Sequence, residues 1–588
     1  MPGALSLVDG LNDQQRQAVL HDDHTVVVAG PGSGKTATLV TKVAHLLDSE
    51  IDDPFAVACL TYNNDTVREI ALRLRALGCR QGRRLLIGTV HSFCLGAVLR
   101  PFAHLVPELG RPDASVLSGP SAARLLDRAL DIEGHNDTAY WFATRLGLIR
   151  KALALGESLE PFDERDVTVA RRYQQLLVQA HAIDFDGMVF DALAIIESDA
   201  VIRDLLAARY PWLCVDEYQD LGGVLHRIVL ALAAAGVKIF AVGDADQTVY
   251  DFAGADPRYL RELQDDPRFE VVRLRFNYRS GARLIAAAQA ALRPDEPRDY
   301  EAAPAVTDRG EVFIESISEG LAGQADRTAA IAEQLIAEGV PAHDIAILYP
   351  ATDPMLSELT AALQEHDVPF VAERDDTFPR TPVVQWLQRC AQRALDRDGP
   401  DTEPFAELTR VYSQMLRDAR HDARGLRPRA DLLAAVEAPA TLQTPLGAWI
   451  AVVDDRLSLR VTLAAARATA DDVDALDALR ASPATLGDFA AGVTVTDHVA
   501  VTTYHSSKGR QFDTVLLPGL QEQLMPKRWR TTVGEQRRQF YVALTRAERR
   551  VHLLSTPSCT WRAWRKLKSG SESRFVAEVR TRLDEDGD

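Results

Sequence analysis

The sequence predicts an α/β fold: two cores of parallel strands with flanking helices, each interrupted by a mostly helical insertion. Three observations predict it. Short β-branched runs that end in glycine or acidic residues recur along the chain, as buried parallel strands do: Thr25 to Gly30, Val57 to Thr61, Leu213 to Asp216, Lys238 to Gly243, Ile345 to Tyr349, Thr514 to Pro518 and Val551 to Ser555. Two long stretches, about Arg100 to Ala182 and Val384 to Ala491, carry helical periodicity and almost no strand signal. At 588 residues the chain has room for about four domains.

Composition sets the class. With 46% hydrophobic and 26% charged residues, and 35 glycines and 29 prolines, the chain is close to the globular average. Ile228 to Val237, the longest obvious uncharged apolar run, is bounded by Arg227 and Lys238 and is far shorter than the roughly 18 residues needed to cross a bilayer. The start lacks a basic segment followed by a long apolar one, so no signal peptide and no membrane partner are expected, and the location expected is cytoplasmic. Cys59, Cys79, Cys94, Cys214, Cys390 and Cys559 form no C-x-x-C pair, which argues against zinc, an iron–sulfur cluster or a disulfide framework. They read as reduced thiols. The net charge of −18 would repel a polyanion, so any nucleic-acid binding has to come from a local cleft.

In chain order, the first chemical signal is Thr25-Val-Val-Val-Ala-Gly-Pro-Gly-Ser-Gly-Lys-Thr36, a strand running through a glycine-rich loop into a helix. This is the context of a phosphate-binding loop. Gly30, Gly32 and Gly34 let the backbone wrap closely, Ser33 lies within the loop, Lys35 suits the β- and γ-phosphates and Thr36 suits Mg²⁺. Ala29 stands at the first loop position, where glycine is usual. The second signal, Val215-Asp216-Glu217-Tyr218-Gln219-Asp220, follows a strand. Carboxylates there are costly to bury unless they meet a cation or a reactive water. Asp216 is the expected Mg²⁺ ligand and Glu217 the group that orients or deprotonates the attacking water.

With these residues in place, the chain resembles the UvrD/PcrA/Rep group of superfamily 1 DNA helicases, through motifs ordered from about Leu11 to Ser555. Leu11-Asn-Asp-Gln-Gln15 is similar to the adenine-reading segment, with Gln15 the matching glutamine. Leu60-Thr-Tyr62-Asn-Asn64 and Gly88-Thr-Val-His91-Ser-Phe resemble segments that contact single-stranded DNA, and Asp184-Phe185-Asp186 one whose aromatic packs against bases. Val242 to Ala255 resembles the third motif, with Gln247 sensing the γ-phosphate and Tyr250 and Phe252 as base platforms. Phe276-Asn-Tyr278-Arg279, Thr503-Tyr-His505-Ser-Ser-Lys508-Gly509 and Glu535 to Ala547, which contains Arg546, resemble motifs IV, V and VI.

The resemblance implies two RecA-like cores: residues 1–100 and 183–280 for the first, 281–384 and 492–560 for the second. Helical insertions fall at 101–182 and 385–491, the second shorter than usual, and a tail at 561–588. It implies ATP and Mg²⁺ as cofactors, single-stranded DNA and its junctions with duplex as partners, and a nucleoid-associated location. The activity implied is a DNA-dependent ATPase that moves 3′ to 5′ and separates strands, with Tyr278 stacking on the base and Arg279 and Arg546 reaching the γ-phosphate. Charge neutralisation by such arginines suits phosphoryl transfer, and aromatic platforms suit sequence-independent grip on single strands. Ala37, Ala253, Arg510 and Gln511 depart from the family pattern, so looser nucleotide selectivity and fewer backbone contacts are expected. The basic clusters Lys527 to Arg530 and Arg562 to Lys568 are candidates to offset them. Two other readings stand beside this one: the motor subunit of a larger repair or defence complex, and a non-hydrolysing switch, which the intact Lys35, Asp216, Glu217, Arg279 and Arg546 disfavour. The polar end, Ser569 to Asp588, is expected to be disordered.

Overall fold

The computed structural model describes residues 8–62, 64–106, 114–117, 119–248, 256–292, 300–350, 354–372, 378, 381–395, 397, 404–418, 427–465, 470–482, 484–491, 498–526, 532–563 and 566–585. Two six-stranded parallel sheets organise it. The first is built from β1 (Thr25–Ala29), β2 (Val57–Thr61), β3 (Leu85–Thr89), β4 (Trp212–Val215), β5 (Lys238–Gly243) and β6 (Glu270–Leu274), in the order β3-β2-β4-β5-β1-β6. The second is built from β7 (Glu311–Ser316), β8 (Ile345–Tyr349), β9 (Phe370–Ala372), β10 (Val499–Thr503), β11 (Phe512–Leu517) and β12 (Ala547–Ser555), in the order β7-β12-β11-β8-β10-β9. In the first sheet Val27 stands opposite Val242 on one side and Val272 on the other, and in the second the register of β11 on β12 shifts between Phe512 and Thr514.

The central strands are β-branched and apolar on both faces because helices cover both faces of each sheet, leaving no side chain in water. Val26, Val27, Cys59, Leu213, Phe240 and Val242 are buried in the first sheet, and Ala346, Ile347, Val501, Val515 and Leu553 in the second. The run from Ile228 to Val237 lies mostly within the helix Gly223–Ala234, whose Val224, Ile228 and Leu232 face the first core. Five strands, β3, β6, β7, β9 and β10, escaped the sequence pattern. β7 and β9 are only partly buried, and β9 is three residues long, so neither reads as a buried apolar run.

The first insertion is a bundle of helices, Gly119–Ile132, Ala139–Leu155 and Glu164–Gln179, with Phe142, Leu146, Ile149, Tyr173 and Leu177 at its centre. The second packs the helices between Pro382 and Ala491 around Trp386, Leu432, Trp449, Leu476 and Phe489. Among the described residues no helix is long and apolar enough to cross a membrane. Cys59, Cys79, Cys94, Cys214 and Cys390 are thiols outside any disulfide.

The expected disorder of the polar end is corrected by the structure from Ser569 to Glu585. A hairpin, Ser558–Ala563 with Lys566–Ser571, leads into the helix Arg574–Glu585. That helix buries Phe575, Val576, Val579 and Leu583 in the second core. Apolar residues at helical spacing hidden in a polar composition outweigh the mean polarity. Bidentate pairs from Arg537 to Glu578 and from Arg580 to Glu572 hold its polar side.

Candidate nucleotide site and nucleic-acid face

The glycine loop leaves β1 at Ala29 and ends where Gly34, in the left-handed region at φ 84, caps the helix Lys35–Ser49. Gly32 is also left-handed, at φ 69, so these two turns need glycine. The loop is packed from outside: a Cβ on Gly32 would lie 2.8 Å from Arg279 Cβ, and one on Gly30 would lie 2.7 Å from the Tyr300 ring. Ser33 is buried and donates to the Gly30 carbonyl at 2.6 Å. The Lys35 Nζ is buried without a hydrogen-bond partner among the described residues and lies 3.7 Å from Glu217 Oε1. An orphaned ammonium at a helix N-terminus lined with free N–H groups fits a phosphate chain. Thr36 stands half-buried in the first turn of that helix.

The carboxylates come from the end of β4. Asp216 is buried, its N–H bound to the Leu60 carbonyl at 2.9 Å, and its Oδ1 accepts from the Glu217 N–H at 3.0 Å. Burial, then the adjacent Glu217, pushes the Asp216 carboxyl up to about 7. For Glu217 burial works in the same direction, but Lys35 and then Lys508 outweigh it and hold the carboxyl well below the usual range. Glu217 itself is left-handed, at φ 49 and ψ 46, a conformation costly for a residue with a side chain and concentrated at functional sites. The Gln219 side-chain amide donates to Glu217 Oε2, and Gln219 Oε1 accepts from the Asp244 N–H at 3.0 Å. Gln247 then donates to Asp244 Oδ2 at 2.7 Å. Glu217 and Gln247 are thus joined by one buried polar chain. Mg²⁺ takes hard oxygen donors, and the Thr36 hydroxyl with the buried Asp216 carboxylate supplies that donor set.

Cations reach this centre from the second core. Lys508, its side chain 7% exposed, donates to both Asp220 oxygens at 2.6 and 2.7 Å and to the Gln247 carbonyl at 2.8 Å. Arg538 donates to the Thr248 carbonyl at 2.9 Å, and in the opposite direction Arg279 of the first core donates to the Thr545 carbonyl at 3.4 Å. Arg546 is buried and donates to the carbonyls of Val542 and Arg510 at 2.9 and 3.1 Å and to Thr545 Oγ1 at 3.1 Å. Burial, then repulsion from Arg279, lowers its pKa to about 10, while Glu217 opposes the drop. Arg279 is lowered too, first by burial. Lys35, Glu217, Gln247, Arg279 and Arg546 are therefore brought to one cleft between the cores.

At the loop's other side, Gln15 accepts from the Asn12 N–H at 3.2 Å and donates to the Ser33 carbonyl at 3.1 Å. Asn12 Nδ2 donates to the Tyr278 hydroxyl at 2.8 Å, and the Tyr278 N–H binds the Gly32 carbonyl at 2.8 Å. Tyr278 stays 46% exposed, and Ala37 lies exposed on the first turn of the loop's helix.

The residues expected to meet DNA divide. Phe185, 55% exposed, begins the helix Phe185–Ser198, and its ring meets His91 edge-on at 5.7 Å. His91 follows β3, Tyr62 follows β2 half-buried, and His505 follows β10, its Nε2 3.0 Å from the Gln539 amide. Asn64 opens the helix Asn64–Ala76, and its side chain lies outside the described residues. Tyr250, Phe252, Ala253 and Lys527 to Arg530 lie wholly outside them, as do the side chains from Arg562 to Lys568. Sequence reasoning missed the linking roles of Gln219, Asp220 and Asp244, although all three stand in strings it had singled out; it missed Tyr300 entirely.

Two parallel-sheet cores closing on a phosphate loop and a strand-end carboxylate pair define the class: P-loop NTPases with two RecA-like domains. Residues 11–268 match the UvrD/REP helicase N-terminal domain and residues 477–557 the UvrD-like helicase C-terminal domain. Among curated relatives, the ATP-dependent DNA helicase UvrD1 of Mycobacterium tuberculosis is 26% identical, the alignment covering 97% of this chain and 85% of that one. UvrD2 of the same species is 28% identical over 93% and 78%, and PcrA of Bacillus subtilis 24% over 97% and 86%. The chain belongs to the UvrD/PcrA-like family of superfamily 1 helicases.

Proposed function

We propose that this chain is an ATP-dependent DNA helicase that moves 3′ to 5′ along single-stranded DNA, separating duplex or displacing bound proteins, with DNA repair or recombination as its setting. The observation that carries the reading is the cleft itself: Lys35, Asp216, Glu217 and Arg279 of one core face Arg546 and Lys508 of the other across it. Glu217, held anionic, orients and deprotonates the attacking water, while Lys35, Arg279 and Arg546 neutralise charge developing on the γ-phosphate. Thr36 and Asp216 would hold Mg²⁺, which would supply charge neutralisation at the phosphates. Gln15 and Tyr278 receive the base, and the backbone of Gly30, Gly32, Ser33 and Gly34 receives the phosphates. Arg546 withdraws from its backbone carbonyls onto the nucleotide as the cores tighten, and that closure shifts the first core's Phe185–His91 face relative to the second core, which carries His505, along the strand; Tyr62, Asn64, Tyr250 and Phe252 are the further residues assigned to the grip.

The net charge of −18 supports a second reading, in which the chain is the motor of a larger complex and unwinds weakly alone. The test is steady-state ATPase activity with no nucleic acid, single-stranded DNA, duplex DNA and RNA, with Glu217→Gln as the blank. Strong stimulation by single-stranded DNA is expected. Stimulation by RNA alone would overturn the DNA assignment, and no stimulation by any of them would overturn stand-alone action.

A further inference from the structure

One polar group in the nucleotide cleft has no place in the reading above. Tyr300 lies outside every motif, beyond residues 293–299, yet its backbone is tied to the motif that presents Arg279. Glu301–Ala302 pairs in parallel with Phe276–Asn277, the Glu301 N–H binding the Arg275 carbonyl at 3.0 Å and the Ala303 N–H binding the Asn277 carbonyl at 2.8 Å. Gln289 donates to the Tyr300 carbonyl at 2.8 Å, fixing the residue from the helix behind it. This pairing drives the ring against the phosphate loop, where only glycine at position 30 leaves room for it.

The ring's polar end is the informative part. The Tyr300 hydroxyl is buried and meets no hydrogen-bond partner among the described residues. A buried hydroxyl without a partner is costly to the fold, and in native structures such groups call for an explanation. Its neighbours are the groups of the cleft: Asp244, Arg279 and Arg546 act on it electrostatically, and the Asn277 side-chain amide lies to hand as a donor, which leaves the hydroxyl's own proton without an acceptor. The Asn277 side-chain oxygen is already occupied, accepting the N–H groups of Arg279 and Ser280 at 2.7 and 2.9 Å. A phenol held beside two arginines and a phosphate loop has an anion as its natural acceptor.

We propose that Tyr300 is a further catalytic residue of this site, its hydroxyl donating a hydrogen bond to the terminal phosphate of the bound nucleotide. The contact strengthens as charge builds on the transferring phosphoryl group, so it lowers the barrier more than it tightens binding. A diphosphate, lacking that phosphate, does not engage it. Asn277 lies in the same two-stranded element and Arg279 follows it, both packed against the phosphate loop at Gly32, so one short pairing aligns three groups.

This rests on the ATPase reading, and the experiment separates the two. The full-length chain and its Tyr300→Phe and Tyr300→Ala variants are compared for single-turnover ATP hydrolysis with saturating single-stranded DNA, and for binding of a fluorescent ADP analogue. Phe keeps the ring packed on Gly30, so Tyr300→Phe is expected to slow hydrolysis about tenfold or more, the scale of one lost donor to developing charge, with ADP-analogue affinity within about twofold. Unchanged hydrolysis by Tyr300→Phe overturns the proposal, as does a slowing matched by an equal loss of ADP-analogue binding. Faster hydrolysis by Tyr300→Ala than by the parent also overturns it, since the ring would then be a plug. A parent chain that hydrolyses no ATP fails the functional reading instead.

Discussion

The two cores share one architecture, six parallel strands covered by helices, and do opposite things with it. The first spends its strand ends on holding: β1 delivers the phosphate loop, β4 the Asp216–Glu217 pair, and β5 the Asp244–Gln247 turn. The second has no comparable glycine string and offers cations instead, Lys508 after β10 and Arg546 before β12. Ligands of open parallel sheets bind at the carboxyl ends of strands, and the first core follows that rule, whereas the second presents Arg546 from the amino end of β12. What differs is which partner of the charge pair each supplies. Neither half holds a balanced site, and this makes the chemistry depend on how the cores meet.

The sharpest way to break that contrast is Arg546→Ala. If the second core contributes only charge neutralisation, hydrolysis falls by about 10³-fold or more while nucleotide binding is kept, the pattern of a removed arginine finger. Filter-binding and turnover measurements on the same preparation check it, and loss of binding would show the second core to be part of the holding apparatus. A smaller effect is expected from Lys508→Ala, which strips the buried Asp220 pair and the Gln247 carbonyl of their cation. Truncating one partner of such a pair costs about 2–5 kcal/mol, so DNA-stimulated turnover should fall toward the unstimulated rate. If stimulation survives, another contact carries the link between cores. The smallest effect tests the first core's outer face. Phe185→Ala removes the exposed ring beside His91 and is expected to weaken single-stranded DNA binding by about 1–3 kcal/mol, measured by fluorescence anisotropy, with the unstimulated ATPase unchanged.

The contrast also separates what was legible early from what was not. Lys35 and Glu217 lie in unbroken strings because a strand, a turn and a helix start must be contiguous to make a phosphate loop or a strand-end carboxylate. The insertions were legible because helical periodicity survives over long stretches. The helix Arg574–Glu585 was not, because its four apolar anchors are diluted by charged neighbours. Tyr300 was not, because nothing local marks a tyrosine whose role depends on a two-residue pairing with Phe276–Asn277.

The amino-acid sequence by itself determined the two parallel-sheet cores, the phosphate loop, the carboxylate pair and the family, all of which are written in contiguous patterns of residue type. Only the tertiary structure decided how Lys508 meets Asp220, how Gln219 joins Glu217 to the Asp244–Gln247 turn, where Arg546 rests, and that Tyr300 faces Gly30. The physical reason is range: turns and helix starts are governed by a few neighbouring dihedrals, whereas contacts between different strand ends, from tens to hundreds of positions apart, exist only once burial and charge have brought the strands and sheets together.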